Sequence, residues 1–335
     1  MNINTFVKNY KVNNIAAADI DKISNEIWSN YLLHVAGKLP HLIEITKKHV
    51  ASRYNVPNIV PFVARFSCAL SEVFMITESN VIGSACLGTL ILDHFTQTLD
   101  DIDDIPSHND VLSIHGSHEL MLEGIATMMK TCNDPRWLFE TLNSYVLEAM
   151  RNERRLLDLK NASDIFGNED YKAMAFRGGI MRAPAAFYAD YAEKIDILSA
   201  VEDCILRISL AIQLLDDIVD WQEDFYQKKR TSILNHFIGR IRSEKMKIEE
   251  VFSGIFEKGL FEKNINRAIT EIDKAQSVLA DLNGDITLKI LDDIKISAKK
   301  ALKMIQQRKK TGNTVDDIND FNKDILRVSG TNMMH

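Results

Sequence analysis

The scarcity of helix-breaking residues is the feature that most limits the folds open to this chain. Its 335 residues include only 14 glycines and 6 prolines, and no proline follows Pro184. Sheet sandwiches and barrels need frequent turns, in which Gly and Pro are the commonest residues. Apolar residues instead recur at spacings of three and four along nearly the whole chain, which is the period of an amphipathic helix. The sequence therefore predicts an all-α fold.

The same periodicity predicts how the chain is organised. Two segments, VIGSACLGTLILDHF and ILRISLAIQLLDDIV, are apolar on most faces, which is typical of central, buried helices. We expect one domain over residues 1–335, with residues 1–17 as an N-terminal arm. Its form should be a helical bundle with an apolar cavity between the central helices. Helices are predicted over residues 18–37, 41–54, 60–78, 81–104, 115–131, 136–160, 169–191, 196–227, 245–258, 261–284, 286–309 and 315–328.

Composition excludes several classes of protein. The net charge of −7 argues against a nucleic-acid partner, because such proteins usually carry a basic surface. The longest apolar stretch, 81–92, is shorter than the ~20 residues that a membrane-spanning helix needs, so no transmembrane segment is expected. The 4 cysteines form no C-x-x-C pair and the N-terminus has no apolar signal core, which favours the reducing cytoplasm.

Two aspartate clusters stand at the ends of the two most apolar segments, and each reads D-D-x-x-D. Residues three and four apart are neighbours on a helix, so the carboxylates of each cluster repel one another. A divalent cation relieves that repulsion, and Mg²⁺ prefers carboxylate and phosphate oxygens. Two solvated helix ends are the alternative, but the repetition of the motif favours metal binding. The first cluster is Asp100, Asp101 and Asp104, and the second cluster is Asp216, Asp217 and Asp220.

Two such motifs in an all-α chain of this length resemble the class I isoprenoid synthases, which comprise the trans-prenyltransferases (polyprenyl synthetases) and the class I terpene synthases. AIQLLDDIVDW, residues 211–221, is similar to their second aspartate motif, and TLDDIDD, residues 98–104, to their first. The resemblance implies that the six aspartates are catalytic and bind three Mg²⁺ ions around an allylic prenyl diphosphate. Pyrophosphate then leaves, and an allylic carbocation remains in an apolar pocket.

A diphosphate site also needs basic side chains. Arg177 and Arg182 stand in an otherwise apolar segment, AFRGGIMRAPAAF, and are expected to face a ligand or an acidic partner. The resemblance places Arg177 near a diphosphate-binding lysine or arginine, and it includes Gln213 in the second motif. Lys229 and Arg230, in QKKRTS, resemble the basic segment that follows that motif, although an exposed charged loop is the alternative.

The residues one turn before the first cluster are expected to lie below the metal site. Thr96 is four residues before Asp100 and shares its face. Phe95 is five residues before, where an aromatic side chain limits chain length in related elongating enzymes. We therefore predict that Phe95 forms the pocket floor, with a place in the hydrophobic core as the alternative.

The reaction type depends on a second diphosphate site. Chain-elongating prenyltransferases carry a G-K-R-x-R-P-like segment, whereas this chain has Gly37-Lys38-Leu39-Pro40. They also carry basic residues after the first motif, where this chain reads IPSHNDVLSIHG. These differences favour cyclisation, a terpene synthase (lyase) activity, over prenyl transfer to isopentenyl diphosphate or another acceptor. A catalytically silent regulatory subunit is a third possibility, which the intact aspartates disfavour, and a homodimer is possible.

Replacing one aspartate of each cluster tests the predicted metal site. We expect Asp100→Asn and Asp216→Asn each to lower turnover by orders of magnitude, because each removes a carboxylate charge that Mg²⁺ needs. Pyrophosphate release and circular dichroism should be measured on the same preparations. Near-normal turnover in both variants would contradict the mechanism.

Overall fold

The structure is a computed structural model that describes residues 17–42, 62–104, 111–157 and 166–311, with residues 318, 321, 324 and 325. The side chains of residues 99–104 lie outside this description. The described residues form helices and no β-strand, which confirms the predicted fold class. Within them, no helix is long and apolar enough to cross a membrane.

The helices follow the predicted order. Short 3₁₀ turns occur at Pro40–Leu42, Leu70–Glu72, Gly179–Arg182 and Leu234–His236. The α-helices are α1 (Ala17–Lys38), α2 (Phe62–Ala69), α3 (Ser79–Asp104), α4 (Val111–Met129), α5 (Pro135–Leu157), α6 (Asn168–Arg177), α7 (Ala183–Tyr191), α8 (Ile195–Val219), α9 (Trp221–Tyr226), α10 (Ile238–Arg242), α11 (Ile248–Glu257), α12 (Leu260–Asp281) and α13 (Asp285–Thr311).

Three predicted helices are shorter than the sequence pattern indicated. The segment predicted over 169–191 divides at Gly178, where a Cβ would collide with the Ser209 hydroxyl of α8. The segment predicted over 196–227 divides at Asp220, whose ψ of 4° ends α8. The segment predicted over 60–78 ends at Ala69, tightens into a 3₁₀ turn and reaches Met75 in the left-handed region, with φ of 59°. Most of the segments predicted at 41–54 and 315–328 lies outside the described residues.

Helix α8 is central to the packing. It contacts α12 along its length and also packs against α6 and α7. Helix α3 packs against α4 and α2. Beyond the end of α8, the fully buried Trp221 stacks on Phe252, with 5.1 Å between the ring centroids. These contacts bury the apolar faces that the sequence pattern identified.

Two glycines allow α3 and α4 to approach closely. A Cβ on Gly88 would lie 3.0 Å from the carbonyl oxygen of Gly124 and 2.6 Å from Cγ of Met128. A Cβ on Gly124 would lie 3.1 Å from the carbonyl oxygen of Gly88 and 2.7 Å from Cγ of Leu92. The missing side chains therefore set the distance between the helix that ends in the first cluster and its neighbour.

Adding one methyl group at this contact should destabilise the protein. We expect Gly124→Ala to lower the free energy of unfolding by about 1–3 kcal/mol, because the new Cβ overpacks the interface. Gly37→Ala in α1 is the matched control, since a Cβ added there would meet no atom within 4 Å. In a helix that control should be neutral or stabilising by up to about 1 kcal/mol. Denaturant unfolding measures both, and equal effects would contradict the role of the glycine contact.

Candidate active site

The second aspartate cluster lies at the C-terminal end of α8. Asp216 and Asp217 belong to its last turn, while Asp220 follows it and donates its backbone N–H to the carbonyl oxygen of Asp216 at 2.9 Å. All three aspartates are half-buried. In the first cluster the backbone is helical through Asp104, but the aspartate side chains are outside the described part of the chain. How the two clusters face each other stays a prediction.

Asp217 in the second cluster accepts two hydrogen bonds from one residue, Ser232. Its Oδ2 accepts a hydrogen bond from the backbone N–H of Ser232 at 2.9 Å, and a second from the Ser232 hydroxyl. Burial raises the pKa of Asp217 to about 6, and the bonds from Ser232 and the charge of Arg177 oppose that rise. The two donors therefore help to keep a buried carboxylate ionised.

A fourth carboxyl extends the second cluster. Asp224 in α9 is 9% exposed, and burial together with the charges of Asp217, Asp220 and Asp216 raises its pKa to about 8. The charge of Lys229 acts in the opposite direction. Cationic ligands should therefore be favoured at this end of α8, because they reduce the repulsion among the carboxylates.

Arg177 ends α6 beside the second cluster. Its Nε lies 2.6 Å from Oε2 of Glu153 in α5, and its Nη1 donates to Oε1 of Gln213 at 3.5 Å. Its charge lowers the pKa of Asp217. Arg177 and Gln213 are therefore brought together at the cluster, while their binding of a diphosphate stays a prediction.

Arg182 has a different environment. Its Nη2 lies 2.6 Å from Oε2 of Glu148, its Nε donates to the carbonyl oxygen of Gly179 at 3.0 Å, and its guanidinium stacks 4.0 Å from the centroid of the Tyr145 ring. Its side chain is 6% exposed. Arg182 therefore has the acidic partner that was the alternative to a ligand, and its binding of substrate stays a prediction.

Lys229 and Arg230 are adjacent in the sequence but differ in their surroundings. Lys229 is half-buried, and its backbone N–H donates to the carbonyl oxygen of Asp224 at 2.9 Å. Arg230 is buried, where its Nε donates to Oδ1 of Asn235 at 2.6 Å and its Nη2 lies 3.4 Å from Oδ2 of Asp170. Of these two residues, Lys229 is thus the one whose charge acts on Asp224. Arg230 instead joins the loop after α9 to α6.

The two predicted pocket residues lie in α3. Phe95 is 1% exposed and belongs to the hydrophobic core. Thr96 is half-buried and donates its hydroxyl to the carbonyl oxygen of Asp93 at 2.8 Å. A cavity between α3 and α8 would border the first cluster, whose side chains are not described, so the pocket floor stays a prediction. A narrow apolar cleft lies between α8, Ile265 of α12, and α13.

Magnesium fits the donor set of the second cluster. Carboxylate oxygens are the ligands that Mg²⁺ prefers, and it is usually held by one or two carboxylates together with substrate phosphates. Among the described residues, no group of three His, Cys, Asp or Glu side chains is arranged to hold a metal ion. Binding of Mg²⁺ by Asp216, Asp217 and Asp220 together with a phosphorylated ligand therefore stays a prediction.

Several residues of this site carry no spacing signal in the sequence. Glu153 contacts Arg177, Ser232 contacts Asp217, and Asn264 contacts Ser232. In each pair the two residues belong to different elements of the fold. Neither helical periodicity nor motif spacing relates Ser232 and Asn264 to the cluster. The sequence pattern does include Asp224, because this residue continues the aspartate face of the second motif by one turn.

Comparison with known proteins bears on the fold. No protein-family model and no curated protein matches the chain. Among solved structures it is similar to the geranylgeranyl pyrophosphate synthetase from the archaeon Geoglobus acetivorans, with a TM-score of 0.67, 14% identity and coverage of 82% of this chain and 98% of that one. It is also similar to a second geranylgeranyl pyrophosphate synthase, with a TM-score of 0.61, 14% identity and coverage of 85% and 98%. The predicted isoprenoid synthase fold is therefore confirmed.

Separate substitutions in the Arg177–Glu153 pair test the predicted role of Arg177. If Arg177 binds the diphosphate, Arg177→Ala should lower the ionisation rate by about 10²- to 10³-fold, the loss typical of one donor to developing negative charge. Glu153→Gln keeps the arginine and should have a much smaller effect. Single-turnover pyrophosphate release measures the rate, and thermal unfolding measures stability. Equal rate losses in the two variants, with equal losses of stability, would assign the pair a structural role.

Proposed function

We propose that this protein is a Mg²⁺-dependent enzyme that ionises an allylic prenyl diphosphate and transfers the prenyl group to a second substrate. The observation that carries the proposal is the carboxylate cluster at the end of α8, with Arg177 beside it. The fold shared with two geranylgeranyl pyrophosphate synthases supports prenyl transfer in preference to cyclisation.

In the proposed mechanism, the chain binds and orients a leaving group. Asp216, Asp217 and Asp220, together with the first cluster, would hold Mg²⁺; the bound ions supply positive charge that stabilises the departing pyrophosphate. Arg177 would donate hydrogen bonds to the diphosphate oxygens, with Glu153 orienting its guanidinium. Lys229 would add a second cation near Asp224.

The remaining prenyl cation must be kept from water until it is captured. Apolar and aromatic walls exclude water, and aromatic faces also stabilise positive charge. Phe95, one turn below the first cluster, would contribute to such a wall. In the proposed transfer, the C–O bond of the allylic diphosphate breaks with its electron pair on the pyrophosphate. The acceptor then supplies the electrons for the new bond and loses a proton to the departed pyrophosphate.

Cyclisation is the second candidate, and a specific sequence observation favours it. The chain lacks the arginines of the basic segment that binds a second diphosphate in elongating enzymes, since Gly37-Lys38-Leu39-Pro40 stands there. A cyclase needs no second diphosphate, because the acceptor is a double bond of the same prenyl chain.

We also propose that the protein works as a cytoplasmic homodimer. Large apolar side chains are exposed on two neighbouring helices, α4 and α5, where a second copy would cover them. They are Leu122, Phe139, Leu147 and Met150, which are between 42% and 56% exposed.

Pyrophosphate release from one or two substrates separates the candidate reactions. We expect farnesyl diphosphate with Mg²⁺ to release pyrophosphate efficiently only when isopentenyl diphosphate is added, because transfer needs an acceptor. Release from farnesyl or geranylgeranyl diphosphate alone, with a hydrocarbon product, would favour cyclisation. If no pyrophosphate is released under any of these conditions, the hypothesis of a catalytically silent regulatory subunit is supported. Asp216→Asn and a chelator are the controls for metal-dependent release.

A further inference from the structure

A series of buried hydrogen bonds leads from α12 to the second cluster. Nδ2 of Asn264 donates to the Ser232 hydroxyl oxygen at 2.5 Å, and the Ser232 hydroxyl donates to Oδ2 of Asp217. The Ser232 backbone N–H donates to the same Oδ2 at 2.9 Å. Asn264 is 4% exposed and Ser232 is 7% exposed. The contacts are therefore largely shielded from water, which would otherwise compete for these groups.

The chemistry of the donor and acceptor groups determines which atom donates in each of these hydrogen bonds. Nδ2 of Asn264 also lies 3.5 Å from the carbonyl oxygen of Leu214, which only accepts hydrogen bonds, so the amide nitrogen must face this side. An amide nitrogen only donates, so the Ser232 oxygen must accept from it. The single hydroxyl proton of Ser232 is then left for Asp217, whose carboxylate only accepts.

This series of hydrogen bonds joins three elements that are separate in the sequence. Asp217 belongs to the end of α8, Asn264 to α12, and Ser232 to the loop after α9 that also carries Lys229. The loop is held a second time where Arg230 contacts Asp170 of α6. Since Oδ2 of Asp217 is held by two donors, rotation of the carboxylate is restricted. The position of the loop is restricted with it.

We propose that Ser232 and Asn264 are positioning residues for the binding of Mg²⁺ and pyrophosphate at the second cluster. Ser232 holds the Asp217 carboxylate in one orientation and holds Lys229 beside the cluster. Asn264 acts through Ser232 by fixing the direction of its hydroxyl. This inference rests on the proposed function, because it takes a diphosphate and Mg²⁺ as the ligands of the cluster.

Binding of inorganic pyrophosphate in the presence of MgCl₂, measured by calorimetry, tests the inference without using turnover. Ser232→Ala should weaken binding by about 10- to 100-fold, the range found when partners of metal ligands are removed. Asn264→Ala should also weaken pyrophosphate binding, although this variant keeps the Ser232 hydroxyl. Ser243→Ala is the matched control, because the exposed Ser243 hydroxyl bonds only locally, to the carbonyl oxygen of Arg240. This variant should bind pyrophosphate as tightly as the wild type does.

The outcomes separate this inference from the proposed function. If the wild type binds pyrophosphate only with MgCl₂ and both variants bind as tightly as the wild type, the positioning role is wrong and the proposed function stands. If the wild type binds no pyrophosphate with MgCl₂, the proposed function fails and the inference fails with it. Titrations are run well below each melting temperature, so that a purely structural role changes the melting temperature and leaves the affinity unchanged. If Ser232→Ala does not fold, Asn264→Ala decides the question.

Discussion

Crowding of carboxylates at the end of an apolar helix is the constraint on which the site depends. Burial and mutual repulsion raise the pKa of Asp217 to about 6 and that of Asp224 to about 8. Neighbouring groups offset part of this cost: the Ser232 donors and the charge of Arg177 act on Asp217, and Lys229 acts on Asp224. A bound cation would relieve this repulsion and favour the charged form of each carboxyl, which is the physical basis of the proposed Mg²⁺-dependent chemistry.

The surroundings of the cluster follow from one interruption of the backbone. Helix α6 ends at Arg177, and the next residue, Gly178, lies against Ser209 of α8, where a side chain would collide. Beyond it the chain turns through a 3₁₀ segment, and Arg182 then contacts Glu148 instead of the cluster. The same interruption therefore leaves one arginine beside the carboxylates and buries the other in a structural network.

The all-α fold could be predicted because helical periodicity is a local property that each segment displays on its own. The predicted bounds of α3, α5 and α13 differ from the observed bounds by at most a few residues. The predictions failed where tertiary contact or backbone conformation overrides periodicity, as at Gly178 and at Asp220. The preference for cyclisation relied on missing basic motifs, and the proposal of prenyl transfer relies on a fold shared with two geranylgeranyl pyrophosphate synthases.

The sequence by itself determined the helices, their apolar faces and the two D-D-x-x-D motifs, because these depend only on residue type and short-range spacing. Tertiary structure alone decided which basic residues face the second cluster. It also decided that Asp220 ends a helix, and that Ser232 and Asn264 hold Asp217. The physical reason is that hydrogen bonds and ion pairs act over a few ångströms. Partners that are distant in the sequence come within that range only after the helices have packed.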